Sequence, residues 1–161
     1  MRILGIDPGL EATGYGLIDV KNGNGSAGLV EAGLIRTKAG LPLPQRLATV
    51  ARQVQEILSQ HQPDLVVVED LYSHYKTPKP AILMGHVRGV VLETAAQAQI
   101  PVVSYLPTRV KKAVVGKGHA PKSQLARMVQ MRLNLKDNAV PFDVTDALAV
   151  ALCHANHLRS A

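Results

Sequence analysis

Arg2-Ile3-Leu4-Gly5-Ile6-Asp7-Pro8-Gly9 is the stretch that decides the fold of this 161-residue chain. Its apolar run predicts a short buried strand, which the Pro8-Gly9 pair terminates. Asp7 is therefore expected at the carboxyl end of a central strand, where the ligand-binding crevices of α/β folds lie. A carboxylate costs several kcal/mol to desolvate without a partner, so Asp7 should face a crevice or a cation.

The order of apolar patterns along the chain predicts strands first and helices later. Further strands are expected at about residues 13–20, 29–36, 65–69 and 101–105, with the first three strands joined as an antiparallel meander. Helices are expected at about 45–60, 81–99, shortly after 107, 122–133 and 141–157. This order predicts one α/β domain over residues 1–161, with a ribonuclease-H-like mixed five-stranded sheet and helices on both faces.

Composition restricts the class of protein. Apolar residues make up 47% of the chain, and no apolar run approaches the roughly 18 residues of a membrane span. Cys153 is the only cysteine, which excludes an internal disulfide or a cysteine-based zinc site. Met1 leads directly into a strand, without the pattern of a signal peptide. We therefore expect a soluble cytoplasmic protein with no membrane partner.

The positive charge of the chain is concentrated in one segment. The net charge is +6, yet residues 94–136 contain eight Lys and Arg and no acidic residue. The remainder carries ten basic and twelve acidic residues. A short charge run is usually a solvated face, but a 43-residue stretch free of acids indicates a polyanionic partner, most often a nucleic acid.

Three further carboxylates are candidates to join Asp7. Glu69 ends the apolar strand at 65–69, and Asp143 and Asp146 lie three residues apart, on one face of the last helix. Asp143 alone could simply compensate the helix dipole, and Glu69 alone could be solvated. Four acids in one crevice would repel each other and need cations. Oxygen ligands favour Mg²⁺, with Mn²⁺ able to substitute, and two ions about 4 Å apart suit phosphodiester hydrolysis.

An ordered set of motifs resembles one known family. The set comprises Gly5-Ile6-Asp7-Pro8-Gly9, Thr13-Gly14-Tyr15-Gly16, Glu69 after its strand, Val110-Lys111, Val114-Val115-Gly116-Lys117-Gly118, Lys122-Ser123-Gln124, and Asp143 to Ala149. Together these motifs resemble the RuvC family of Holliday junction resolvases over nearly the whole chain. The resemblance implies a homodimeric, metal-dependent endonuclease that nicks two strands of a four-way DNA junction symmetrically, during recombination and repair. It also implies a branch-migration partner of the RuvA–RuvB type.

The resemblance assigns roles by position. Asp7, Glu69, Asp143 and Asp146 match the catalytic, metal-binding carboxylates, although some relatives carry His where this chain has Asp143. Lys111 and Lys122 match basic residues near the site, and Tyr72 matches an aromatic residue near the junction centre. The complete set of expected DNA contacts is Tyr72, Tyr75, Lys76, Arg109, Lys111, Lys112, Lys117 and Lys122.

Three other functions remain as alternatives. A ribonuclease-H-like nuclease acting on structured RNA would share the fold and the acids. Half of an actin-like sugar or acetate kinase would need a second glycine-rich phosphate segment and about twice the length. A non-catalytic junction-binding module should have lost at least one carboxylate. His154 and His157 are expected to be surface residues near a helix carboxyl end rather than metal ligands.

Overall fold

The computed structural model describes residues 1–21, 26–71, 78–135 and 140–160. Within these ranges a meander of three strands is followed by helices that separate two further strands. The strands are β1 Arg2–Asp7, β2 Ala12–Val20, β3 Ala27–Arg36, β4 Leu65–Glu69 and β5 Val102–Tyr105. The helices are α1 Leu43–His61, α2 Pro78–Gln97, α3 Pro107–Val115, α4 Lys122–Leu133 and α5 Phe142–Ser160.

The strands form one mixed sheet in the order β3-β2-β1-β4-β5. The meander β1-β2-β3 is antiparallel, whereas β4 runs parallel to β1 and β5 runs parallel to β4. The predicted ribonuclease-H-like sheet of five strands is therefore confirmed. In this order β1 and β4 are central neighbours, and their carboxyl ends emerge at the same edge of the sheet.

Helices cover both faces of the sheet, because the strand side chains alternate between the faces. Leu4 and Val66 point toward α1 and α2, where they pack with side chains such as Val50. Ile3 and Val67 point toward α3, α4 and α5. Each fully buried Val, Leu or Ile of this kind contributes about 1.5–3 kcal/mol to stability. Strand β4 is buried from Leu65 to Val68 because helices cover both of its faces, which is why an apolar sequence is suited to it.

Helix α5 lies unusually close to the sheet, and two glycines permit this approach. A Cβ atom added to Gly5 would lie 2.1 Å from the carbonyl oxygen of Ala147, and one added to Gly14 would lie 1.9 Å from that of Asp143. Any side chain at either position would therefore displace the helix backbone. The glycines of the first motifs are thus packing residues that place the start of α5 against β1 and β2.

The structure corrects two expectations. Helix α2 begins at Pro78, before the expected residue 81, because the first turn of a helix tolerates prolines that lack N–H groups. The expectation that His154 is a surface residue is wrong: it is 8% exposed, and its Nδ1 lies 2.9 Å from the Tyr105 hydroxyl. At the start of β1, Arg2 forms an ion pair with Asp19. In the described part of the chain, no helix is long and apolar enough to cross a membrane.

Candidate active site

Strand register brings the first two carboxylates together. Ile6 of β1 lies opposite Val68 of the parallel strand β4, so the next residues, Asp7 and Glu69, end neighbouring strands side by side. Beyond Asp7, the hydroxyl of Thr13 donates a 2.8 Å hydrogen bond to the Gly9 carbonyl and fixes the turn after the strand. Thr13 is fully buried, so this contact belongs to the interior of the site.

The amino end of α5 supplies the other two carboxylates. Asp7 pairs with Gly14 in the β1-β2 ladder, and Gly14 touches the backbone of Asp143. The first turn is held by the Thr145 hydroxyl, which donates a 2.9 Å hydrogen bond to the Phe142 carbonyl. The three-residue spacing then turns Asp146 toward the same edge of the sheet as Asp143. The close seating of α5 therefore determines where both acids lie.

All four predicted acids line one cavity of about 420 Å³, which we call the carboxylate cavity. Asp146 is 6% exposed, and Asp143 is half-buried. Basic side chains from α3 and α4 complete the wall opposite the strand ends. The polar lining consists of Asp7, Glu69, Asp143, Asp146, Lys111 and Lys122, and the apolar lining includes Met84, Pro107 and Leu125. The arrangement brings together oxygen ligands for cations and ammonium groups suited to an anionic substrate.

Burial and mutual repulsion disfavour the charged forms of two of these acids. Burial, followed by the charges of Glu69 and Asp146, raises the pKa of Asp7 to about 8. Burial, followed by the charge of Asp146, raises the pKa of Glu69 to about 7, although Lys122 and Lys111 oppose the effect. Near neutral pH, Asp7 is therefore mostly protonated and Glu69 is about half protonated, unless positive charge arrives in the cavity.

Lys122 already supplies part of that positive charge. Its Nζ lies 2.8 Å from Oδ2 of Asp146, in an ion pair that buries the carboxylate and leaves the lysine side chain 60% exposed. Burial lowers the pKa of Lys122, but its hydrogen bond to Asp146 and the charges of Asp7 and Asp143 outweigh burial and raise it overall. The sequence predicted both residues for the site, but not their contact, which depends on how α4 packs on α5.

The donor set fits a hard divalent cation. Oδ1 of Asp146 is buried and has no hydrogen-bond partner among the described residues, which leaves an acceptor lone pair without a donor. Oxygen-rich surroundings of this kind suit Mg²⁺ or Mn²⁺. Within the described ranges, no three acidic, His or Cys side chains already stand at metal-binding spacing. The Lys122 ammonium group, 2.8 Å from Asp146, supplies part of the positive charge that a metal ion would bring to this carboxylate.

The other expected DNA contacts lie away from the carboxylate cavity or beyond the described ranges. Lys112 and Lys117 are exposed on and after α3 and do not line the cavity. Arg109 is exposed as well, and its guanidinium carbon lies 4.8 Å from the ring centroid of Tyr105. Tyr72, Tyr75 and Lys76 fall outside the described residues.

Sequence reasoning missed several residues that shape the cavity. Met84 of α2 lines it, although nothing in the sequence relates a helical methionine to a distant strand end. Gly14 and Thr13 position the acids without carrying any charge. A local signal existed for these two, because they stand in the motif directly after the Asp7 turn. Their role depends on tight packing, which a sequence pattern does not show.

Comparison with known proteins identifies the family. The family description "Crossover junction endodeoxyribonuclease RuvC" matches residues 3–154, nearly the whole chain. The chain belongs to the RuvC family. The carboxylate cavity is thus a feature of a RuvC-family protein, and the resemblance seen in the ordered motifs is confirmed.

Individual relatives agree in sequence and in structure. The RuvC of Rhodopirellula baltica is 48% identical over 151 residues, covering 94% of this chain and 84% of the relative. The RuvC of Moorella thermoacetica is 46% identical, covering 97% and 92% respectively. The structure of Thermus thermophilus RuvC in complex with a Holliday junction substrate superposes with a TM-score of 0.91, at 37% identity, covering 99% of this chain and 96% of that one.

Proposed function

We propose that this RuvC-family protein is a metal-dependent endonuclease that resolves four-way DNA junctions by paired, symmetric nicks. The observation that carries the proposal is the carboxylate cavity, in which four acids from two central strands and one helix converge. Its geometry suits phosphodiester hydrolysis, and the T. thermophilus relative described in complex with a Holliday junction substrate indicates the kind of DNA.

Asp7, Glu69, Asp143 and Asp146 are the proposed ligands of the cofactor, two Mg²⁺ ions per site, with Mn²⁺ able to substitute. Such ions activate a water molecule and stabilise the leaving oxygen of a phosphodiester. The buried Oδ1 of Asp146, which has no hydrogen-bond partner among the described residues, and the raised pKa values of Asp7 and Glu69 support a site that requires added positive charge.

Lys111 and Lys122 are proposed to hold the scissile phosphate at the mouth of the carboxylate cavity. Lys122 is the better placed, because its side chain is largely exposed while its Nζ stays 2.8 Å from Asp146. It pairs with Asp146 and presents its remaining N–H donors to an incoming phosphate oxygen. Tyr72, by the family resemblance, is proposed to stack on an unpaired base at the junction centre, which would offset the cost of opening pairs.

Symmetric nicking requires two active sites related by a two-fold axis, so we propose a homodimer. The solvent face of α2 is the proposed contact surface: Gly89 is exposed, and a Cβ added there would meet nothing within 4 Å among the described residues. Glycine costs about 1 kcal/mol in a helix interior relative to alanine, and the intrachain packing at Gly89 does not explain that cost. Ile82, 59% exposed on the same helix, adds apolar area.

Two further elements of the proposal concern the cell. A branch-migration complex of the RuvA–RuvB type is the proposed protein partner, by family resemblance. A junction-cutting role also requires access to cellular DNA, so we propose that the protein acts in the cytoplasm.

Substrate selectivity tests the proposal. A mobile four-way junction, labelled in turn on each strand, is incubated with the protein and Mg²⁺ or Mn²⁺, next to a linear duplex and a structured RNA. We expect paired nicks at symmetry-related positions in the junction only. Equal or better cleavage of the RNA would favour the ribonuclease alternative, and binding without nicks in either metal would favour the non-catalytic one.

A further inference from the structure

A second cavity, of about 460 Å³, lies beyond the carboxylate cavity on the same side of the sheet. Three helices each contribute one arginine to it: Arg109 from α3, Arg132 from α4 and Arg159 from α5. Ala113 and Cys153 supply apolar lining, and His157 stands between the arginines. We call this cavity the arginine pocket.

The arginine pocket has an unbalanced positive charge. Among the described residues, no acidic side chain lines it and none of the three arginines forms an ion pair with a carboxylate. All three side chains are exposed, so their guanidinium groups are available to a ligand. Arginine presents N–H donors in a planar fork that matches two oxygens of a phosphate.

Neighbouring groups hold two of these arginines in place. The side-chain amide of Asn156 donates a 2.9 Å hydrogen bond to the Ala113 carbonyl, and its oxygen accepts one of 3.3 Å from Arg132. Arg109 lies 4.8 Å from the Tyr105 ring centroid, where a cation is attracted to the ring face. Positioned donors lose less side-chain entropy when an anion binds, which favours a binding site over a set of independent surface charges.

The position of the pocket relates it to DNA bound at the active site. Asp146 and Asn156 stand ten residues apart on α5, which is about 15 Å at 1.5 Å per residue. A DNA duplex rises about 3.4 Å per base pair, so for an arm that runs along α5 this distance corresponds to four or five pairs. The lining is exposed and mostly cationic, whereas pockets for small molecules are enclosed and mainly apolar. A backbone phosphate at the pocket mouth fits these features better than an enclosed ligand.

We propose that the arginine pocket binds backbone phosphates of a junction arm four to five base pairs from the scissile phosphate. Arg132 and Arg159 act with Arg109 as the anchors, and Asn156 is a positioning residue for Arg132. The inference rests on the proposed junction-cutting function and adds a contact remote from the chemistry. It predicts an effect on affinity and on its salt dependence, with the cleavage rate of bound junction unchanged.

The affinity for a junction is measured in Ca²⁺ or EDTA at salt concentrations from 50 to 200 mM. Its salt dependence tests whether the arginine pocket binds phosphates. Arg132→Ala and Arg159→Ala should each weaken binding several-fold and lower the salt slope by about 0.9 for each lost phosphate contact. Arg52→Ala is the matched control: Arg52 lies on α1, across the sheet, and is paired with Glu56 at 3.0 Å. It removes the same charge and should leave the slope unchanged. Single-turnover cleavage at saturating protein should match wild type for all three variants.

Neutral methylphosphonate links four to five pairs from the cut locate the contact. They should weaken wild-type binding, and they should weaken binding by Arg132→Ala less, because part of the same contact is already lost. The inference is overturned if both arginine variants behave like Arg52→Ala, or if the two losses simply add. Tight binding of inorganic tripolyphosphate that Arg132→Ala abolishes, with junction binding intact, would assign the pocket to a free phosphate ligand instead. A wild type that does not distinguish junctions from duplex would contradict the proposed function itself.

Discussion

Replacement of Asp7 by asparagine removes an ionisable group from the carboxylate cavity and keeps the size of the side chain. In the metal-free protein the pKa of Asp7 is raised from 3.8 to about 8, first by burial and then by the charges of Glu69 and Asp146. An amide at this position has no charge to bury. Asp7→Asn should therefore stabilise the metal-free protein, as expected when an acid held for function is relieved of repulsion.

The sign and the size of the effect follow from proton linkage. Between its ordinary pKa and about 8, Asp7 is ionised in the unfolded chain but protonated in the folded one. Unfolding then releases a proton, so the stability of the wild type falls as the pH rises through this window. At about 1.36 kcal/mol per pH unit, the cost reaches about 4 kcal/mol at pH 7 as an upper bound. Since neighbouring acids share the repulsion, we expect a gain of about 2–4 kcal/mol.

Urea unfolding in EDTA at pH 5, 7 and 8 measures this difference. Asp7→Asn should gain least at pH 5 and most at pH 8. Asp19→Asn is the matched control, because the Arg2 side chain hydrogen-bonds Asp19 and lowers its pKa, so the same substitution should destabilise the protein. A variant no more stable than wild type at pH 7, or one with an equal gain at pH 5 and pH 8, would refute the electrostatic account of the cavity.

Three other substitutions test packing, assembly and the junction centre. Gly14→Ala places a methyl group against the Asp143 carbonyl, so it should cost about 1–3 kcal/mol in chemical denaturation and slow cleavage. Gly28→Ala is the control, because a Cβ added there meets no atom of the described residues within 4 Å; equal effects would contradict the packing role of Gly14. Gly89→Leu should shift sedimentation toward monomer while the monomer stays folded. A wild type that sediments as a monomer at micromolar concentration would contradict the proposed homodimer. Tyr72→Ala should retain dimerisation but lose most cleavage. It should also lose the fluorescence gain of 2-aminopurine placed at the crossover. If this variant unstacks the probe as well as wild type does, Tyr72 does not stack on a base at the junction centre.

The fold was largely predictable because its signals are local. The apolar run before Asp7, the apolar strand before Glu69 and the periodic helices fix the elements and their order, and parallel β1 and β4 must end at one edge. Pro78 shows where this reasoning fails: prolines at 78 and 80 read as loop, yet they occupy a first helical turn.

The site was predictable only as a set of residue types. The convergence of the four acids follows from strand ends and helical spacing, but their electrostatics depend on packing across the chain. The ion pair of Lys122 with Asp146 joins residues 24 positions apart, and the contact of His154 with Tyr105 spans 49. No local pattern encodes such distances, which is why His154 was misplaced on the surface.

Cleavage of a four-way junction by paired amide variants tests the central claim most directly. Asp146→Asn removes a carboxylate of the cavity, whereas Asp70→Asn changes an acid one residue from Glu69 that instead pairs with Arg88 at 3.2 Å. With Mg²⁺ and equal, saturated junction binding, we expect wild type and Asp70→Asn to nick the junction at symmetric positions and Asp146→Asn to make no nicks. Asp7→Asn and Glu69→Gln should match Asp146→Asn. Cleavage by Asp146→Asn at the wild-type rate would contradict the account.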